Sequence, residues 1–233
     1  TCYVRAMIIG NWVDSKGVYW GKQTEWKVTQ DETLTAHFRV IPDYDEYMVF
    51  VLGERVTSAN AGDILGDGVW SYDRETHTLR TMKDATYKKE NKDFIEDWET
   101  GLGALTVVVN HHITAEVETT DEVIRFALYG YNGIKFVGSK FASVDLTALN
   151  MIAAQTMKTL EVSNHLRLFI TQGNTTDFGK SQFSTSMIFS GTPAIRVNSA
   201  SLRLSVNLGN KISNQTNDKI ELTNAEINYG ELN

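Results

Sequence analysis

Apolar residues recur at every second position through much of the chain. Leu34, Ala36, Phe38 and Val40 alternate with Thr33, Thr35, His37 and Arg39, the pattern of a half-buried strand. Ile124, Phe126 and Leu128 follow the same rule, as do Leu166, Leu168 and Ile170, and Leu202, Leu204, Val206 and Leu208. Turn signals separate these runs: Asn132-Gly133, Gly173-Asn174, Ser190-Gly191 and Gly209-Asn210. Asn132-Gly133, set between Phe126–Tyr131 and Ile134–Val137, predicts a two-residue hairpin.

Two segments carry a helical period instead. Over 86–100, Tyr87, Phe94, Ile95 and Trp98 fall on one side and Lys88, Lys89, Glu90, Lys92, Asp93, Glu96 and Asp97 largely on the other, with Gly101 as the stop. Over 145–160, Leu146, Leu149, Ala153, Met157 and Leu160 step by three or four, with Asp145 placed as the N-cap. The expected fold is therefore mainly β: an antiparallel β-sandwich or meander with about two helices packed on or beside the sheets. Its expected organisation is an acidic, Trp-rich β region at 1–100 ending in a helix, then a β-rich region at 101–233 with one helix at about 145–160. A single domain is the alternative. No internal repeat stands out.

Composition narrows the function. The 233 residues include 22 Lys+Arg and 29 Asp+Glu, a formal net charge of −7, which argues against a generic nucleic-acid binder. Residues 1–160 hold 16 basic and 23 acidic side chains, whereas 161–233 hold 6 of each, so the whole excess lies in the first part. The second part is neutral and rich in Asn. Cys2 is the one cysteine, which rules out an internal disulfide and any multi-cysteine zinc site. No apolar run approaches the ~18 residues of a membrane helix. No signal-peptide pattern opens the chain, and Thr1 is consistent with either a removed Met or a cleaved leader.

Candidate chemistry is sparse. Gly173 to Ser181 resembles a phosphate loop, but it has five residues between its glycines and precedes a strand pattern rather than a helix. His111 and His112 are neighbours, so in a strand they point apart and share no metal; His37, His77 and His165 stand alone. Gly62 to Gly68, with Asp63 and Asp67 and with Asp73 nearby, reads as a solvated acidic loop without the calcium-loop oxygen spacing. Asp43, Asp45 and Glu46 read as a charged turn. There is no nucleophile elbow, so no catalytic residue, metal or cofactor is expected. Asn174 and Asn214 match the glycosylation acceptor pattern.

The aromatic cluster is the most informative feature. Trp12, Tyr19, Trp20 and Trp26 lie close together, followed by Trp70 and Tyr72. Large aromatics are mostly core, yet on a rigid sheet they can stack on sugars. Two functional expectations result. The first is a non-enzymatic structural subunit of a larger assembly (a virus or phage particle, a tail, or an extracellular filament). Its sheet edges and terminal strands, including Lys219 to Tyr229, would pair with other copies or other subunits. The second is a carbohydrate- or surface-binding β module using Trp12, Trp20 and Trp26, with a glycan as partner. The expected location is a virion or extracellular assembly, with no nucleic acid and no membrane span.

Overall fold

The computed structural model describes residues 9–13, 16, 19–20, 35–39, 43–119, 124–173, 185–207, 211–214, 220–224 and 226–232. They form two compact units, Thr1–Asp45 and Glu46–Asn233. In the first, β1 (Ile9–Val13) pairs antiparallel with both β2 (Tyr19–Trp20) and β3 (Thr35–Arg39).

The second unit winds as a coil, and each turn contributes to three sheets in succession. The first turn holds the hairpins β4 (Glu46–Val51) with β5 (Glu54–Thr57) and β6 (Trp70–Asp73) with β7 (Thr78–Thr81), then β8 (Ala85–Glu90). The next turns are β9 (Ile95–Asp97), β10 (Leu105–Val108) and β11 (His112–Glu118), then β12 (Leu128–Gly130), β13 (Ile134–Val137) and β14 (Ser143–Leu149). After them come β15 (Ala154–Thr156), β16 (Leu160–Ser163) and β17 (Arg167–Gly173), then β18 (Thr185–Phe189), β19 (Ile195–Asn198) and β20 (Ser201–Asn207). The last turn is β21 (Lys211–Asn214), β22 (Ile220–Thr223) and β23 (Glu226–Leu232). Every third strand pairs, giving sheet orders β22-β19-β16-β13-β10-β7-β6, β23-β20-β17-β14-β11-β8 and β21-β18-β15-β12-β9-β4-β5. In these three sheets the pairings between strands three apart are parallel, whereas β4–β5, β4–β9 and β6–β7 are antiparallel.

This is a parallel β-solenoid, and it overturns the antiparallel sandwich. A parallel pair needs a long crossover, usually a helix. Here the other two sheets of the same turn supply it, and no helix occurs among the described residues. Register aligns like with like inside the coil. Leu105, Ile134, Leu160 and Ile195 stack in one column, and Ile113, Val144, Leu168 and Leu202 stack in another. Each turn alone could not bury its apolar face, so neighbouring turns complete the core.

The expected helices are corners and strands. In 145–160, Leu146 and Leu160 point inward and are fully buried, whereas Asp145 and Met157 are exposed on the outside of β14 and just after β15. In 86–100, Asp97 sits fully buried while Trp98 faces outward. Each corner restarts the two-residue alternation, and the shifted phase mimics a step of three or four. The Asn132-Gly133 hairpin is likewise a corner: β12 and β13 lie in different sheets. Gly133 has φ +89°, and a Cβ there would meet Thr159 O of the next turn at 2.6 Å. Asn132 Nδ2 donates to the Glu99 and Leu102 carbonyls at 3.0 and 2.7 Å, tying this corner to the preceding one. The Gly101–Gly103 run is another corner, between β9 and β10.

Candidate functional site

The sheet containing β4, β9, β12 and β15 carries chemistry on its outer face. Residues alternate in and out along a strand, and paired residues share a face. The pairings Phe50–Glu96, Glu96–Tyr129 and Tyr129–Gln155 define one outward row. Two residues further along lies a second outward row of Met48, Trp98, Tyr131 and Met157. It is held in register by Trp98 N–H to Met48 O at 2.8 Å, Tyr131 N–H to Asp97 O at 3.0 Å and Met157 N–H to Gly130 O at 2.9 Å.

Trp98 anchors both rows. Its ring stacks on Tyr129 with centroids 3.8 Å apart and planes 22° from parallel, and it meets Phe126 edge-on at 6.2 Å. Its indole N–H donates to Glu96 Oε2. Beside it a cavity of about 510 Å³ opens, lined by Met48, Phe50, Asp93, Glu96, Trp98 and Arg125 among others. Burial pushes the Glu96 carboxyl up to about 8, helped by a hydrogen bond with Asp93 and by the Asp93 charge, against the opposing Trp98 hydrogen bond and Arg125 charge. At neutral pH Glu96 is therefore protonated. Its Oε2 accepts from the Trp98 indole N–H, which holds the ring in place.

Beneath this face lies a buried polar chain. Tyr72 Oη contacts His77 Nδ1 at 2.8 Å, and His77 Nε2 contacts Asp97 Oδ2 at 3.0 Å. Asp97 Oδ1 accepts the Glu99 N–H at 3.1 Å, and Glu99 Oε1 accepts from Met48 N–H and from Arg74 at 3.0 and 2.8 Å. Asp97 is the inward residue between Glu96 and Trp98, so this chain fixes the strand that displays them.

The residues singled out from sequence fall elsewhere. Trp12 and Trp20 are directly paired across β1 and β2, and Trp12 also pairs with Ala36 of β3; Trp26 lies outside the described residues. Trp70 and Tyr72 are buried in the core. His111 contacts Thr81 Oγ1 at 3.0 Å and His112 contacts Ser143 Oγ at 2.8 Å, so the two have separate partners. Asp63 and Asp67 close their own loop by accepting the N–H groups of Gly68 and Val69 at 2.8 and 2.9 Å, and Asp67 also accepts the Tyr87 hydroxyl at 2.9 Å. Among the described residues no group of three or more metal-ligating side chains converges. The loop after Gly173, with Asn174, and Cys2 lie outside the described residues.

Sequence reading missed Glu96, Trp98, Asp93 and Arg125 as a site. The signal was present: as a strand, Glu96-Asp97-Trp98 puts Glu96 and Trp98 on one face and Asp97 on the other. No protein family, curated protein or solved structure matches the chain. What the fold and site define is a parallel β-solenoid with an aromatic and carboxyl-lined groove on the outside of one sheet.

Proposed function

We propose that this protein is a carbohydrate-binding β-solenoid whose glycan seat is the Trp98 cavity. The observation that carries the reading is the Trp98 ring, stacked on Tyr129 and held by Glu96, forming a wall of a cavity that also contains Asp93 and Arg125. Sugar rings present an apolar C–H face and a rim of hydroxyls. An amphipathic aromatic with polar groups beside it matches both. This keeps the carbohydrate partner expected from the sequence and moves it from Trp12, Trp20 and Trp26 to a different tryptophan.

Binding without hydrolysis fits the carboxyl geometry. Glycoside hydrolysis uses two carboxyl groups at least ~5 Å apart, flanking the bond. Asp93 is the close neighbour that helps hold the Glu96 carboxyl protonated, so the two act on each other rather than as a separated pair. The expectation of a self-assembling virion subunit finds no comparable support. β22 and β23, which were to pair with a neighbour, pair with β19 and β20 of their own chain.

The test is a glycan array probed with the wild-type chain and with Trp98→Ala. Binding to a defined glycan that is lost in Trp98→Ala, while Trp12→Ala retains it, supports the assignment. No binding, or binding indifferent to Trp98, overturns it.

A further inference from the structure

Around Trp98 the outward row is longer than the cavity. Met48, Trp98, Tyr131 and Met157 occupy one register position on four successive strands, β4, the residue after β9, the residue after β12 and the residue after β15. Three of them are large apolar side chains left exposed: Met48 at 41%, Tyr131 at 41% and Met157 at 38%. Neighbouring strands lie ~4.8 Å apart, so the row runs about 14 Å along the coil axis. That exceeds a single sugar ring.

The charges beside the row are compensated. Arg55 pairs with Glu46 at 2.7 Å while donating to Met48 Sδ, and Arg74 pairs with Glu99 at 2.8 Å. Arg125 faces Glu96 and its partner Asp93. No single sign of charge dominates, which disfavours a polyanionic or polycationic partner. A stable protein partner would bury roughly 20–30 residues a side, far more than four side chains between paired charges.

We infer that the row is a set of subsites for a linear, neutral polysaccharide lying along the coil axis, with Trp98 as the first subsite and Tyr131 and Met157 as the next. This rests on the carbohydrate reading of the Trp98 cavity. It adds direction, length and neutrality. Successive strands offer one apolar platform each, so successive sugars of one polymer meet equivalent surfaces in turn. Gln155 Nε2, bonded to Met157 Sδ at 3.3 Å, stands beside the far end as a donor for hydroxyls.

The probes are paired disaccharides and hexasaccharides of the cello-, malto-, manno- and galacto-series, titrated calorimetrically into the intact chain. At least one hexasaccharide should bind roughly tenfold more tightly than its disaccharide, about 1.4 kcal/mol. Tyr131→Ala should weaken hexasaccharide binding by most of that factor, and Tyr131→Phe, which keeps the ring, should restore it. Trp98→Ala should weaken both lengths. Equal affinity for the two lengths, or hexasaccharide binding that Tyr131→Ala leaves intact, overturns the inference while the Trp98 seat stands. Absence of binding by either length in all four series overturns both. Concentration-dependent self-association abolished by Tyr131→Ala would assign the row to a second copy of the chain instead.

Discussion

Asp97 Oδ2 lies 3.0 Å from His77 Nε2, and Asp97 is fully buried. The contact joins the start of β7 to the end of β9, two neighbouring turns and two different sheets. Removing one partner of a buried polar pair leaves the other desolvated and unpaired, which costs more than the bond itself contributes. Asp97→Ala should therefore lower unfolding free energy by roughly 3 kcal/mol. Asp97→Asn, which keeps an acceptor oxygen, should cost less. Chemical denaturation of the two variants measures the difference.

Trp98 is stacked and partly exposed, so its removal leaves no sealed cavity. Trp98→Ala should reduce affinity for a bound glycan by roughly tenfold or more, since aromatic anchors dominate binding energy. Its effect on stability should stay smaller than that of Asp97→Ala. Parallel calorimetric titration and thermal melting separate the two effects.

Glu96 gives a pH signature. Its folded value of about 8 lies above the ordinary glutamate value of 4.5, so the folded state holds the proton more tightly than the unfolded chain. Its contribution is fully present below 4.5 and is lost as pH rises through 8. Asp93, on the same connecting segment, opposes ionisation, Arg125 from the segment before β12 favours it, and the Trp98 hydrogen bond favours it too. Melting temperature should fall as pH rises from about 4.5 to about 8 and level off above that, and Glu96→Gln should flatten the fall. A wild-type curve with no decline there would contradict the buried, protonated Glu96.

Gly133 has φ +89°, and a Cβ would lie 2.6 Å from the Thr159 carbonyl oxygen. Gly133→Ala adds both left-handed strain and a clash with the next corner. It should destabilise by roughly 2 kcal/mol or more. Gly101, whose Cβ would meet nothing within 4 Å, should tolerate Ala within about 0.5 kcal/mol, as surface positions generally do. Denaturant midpoints of both variants check the contrast.

The strands were legible and their arrangement was not. Leu202, Leu204 and Val206 alternate as expected and are buried in β20. Alternation reports which residues face a core and is silent on whether the next strand returns antiparallel or passes into another sheet. Asn132-Gly133 signalled a turn correctly, but only the stacked corner beneath it shows that the turn leads into a new sheet. The coil hides as a sequence repeat because the turns differ in length, so equivalent positions such as Leu105, Ile134, Leu160 and Ile195 are unevenly spaced. The site was illegible for the same reason. Glu96 and Trp98 belong together only on a strand, and Arg125 reaches them only because the next turn lies alongside.

The groove itself is tested most directly by amide hydrogen exchange with and without a saturating oligosaccharide from the bound series. New protection is expected at 93–99 and 125–131, on β9, β12 and their flanks, with Trp12 to Trp20 unchanged. Protection confined to Trp12 to Trp20, with 93–99 and 125–131 unaltered, would contradict it.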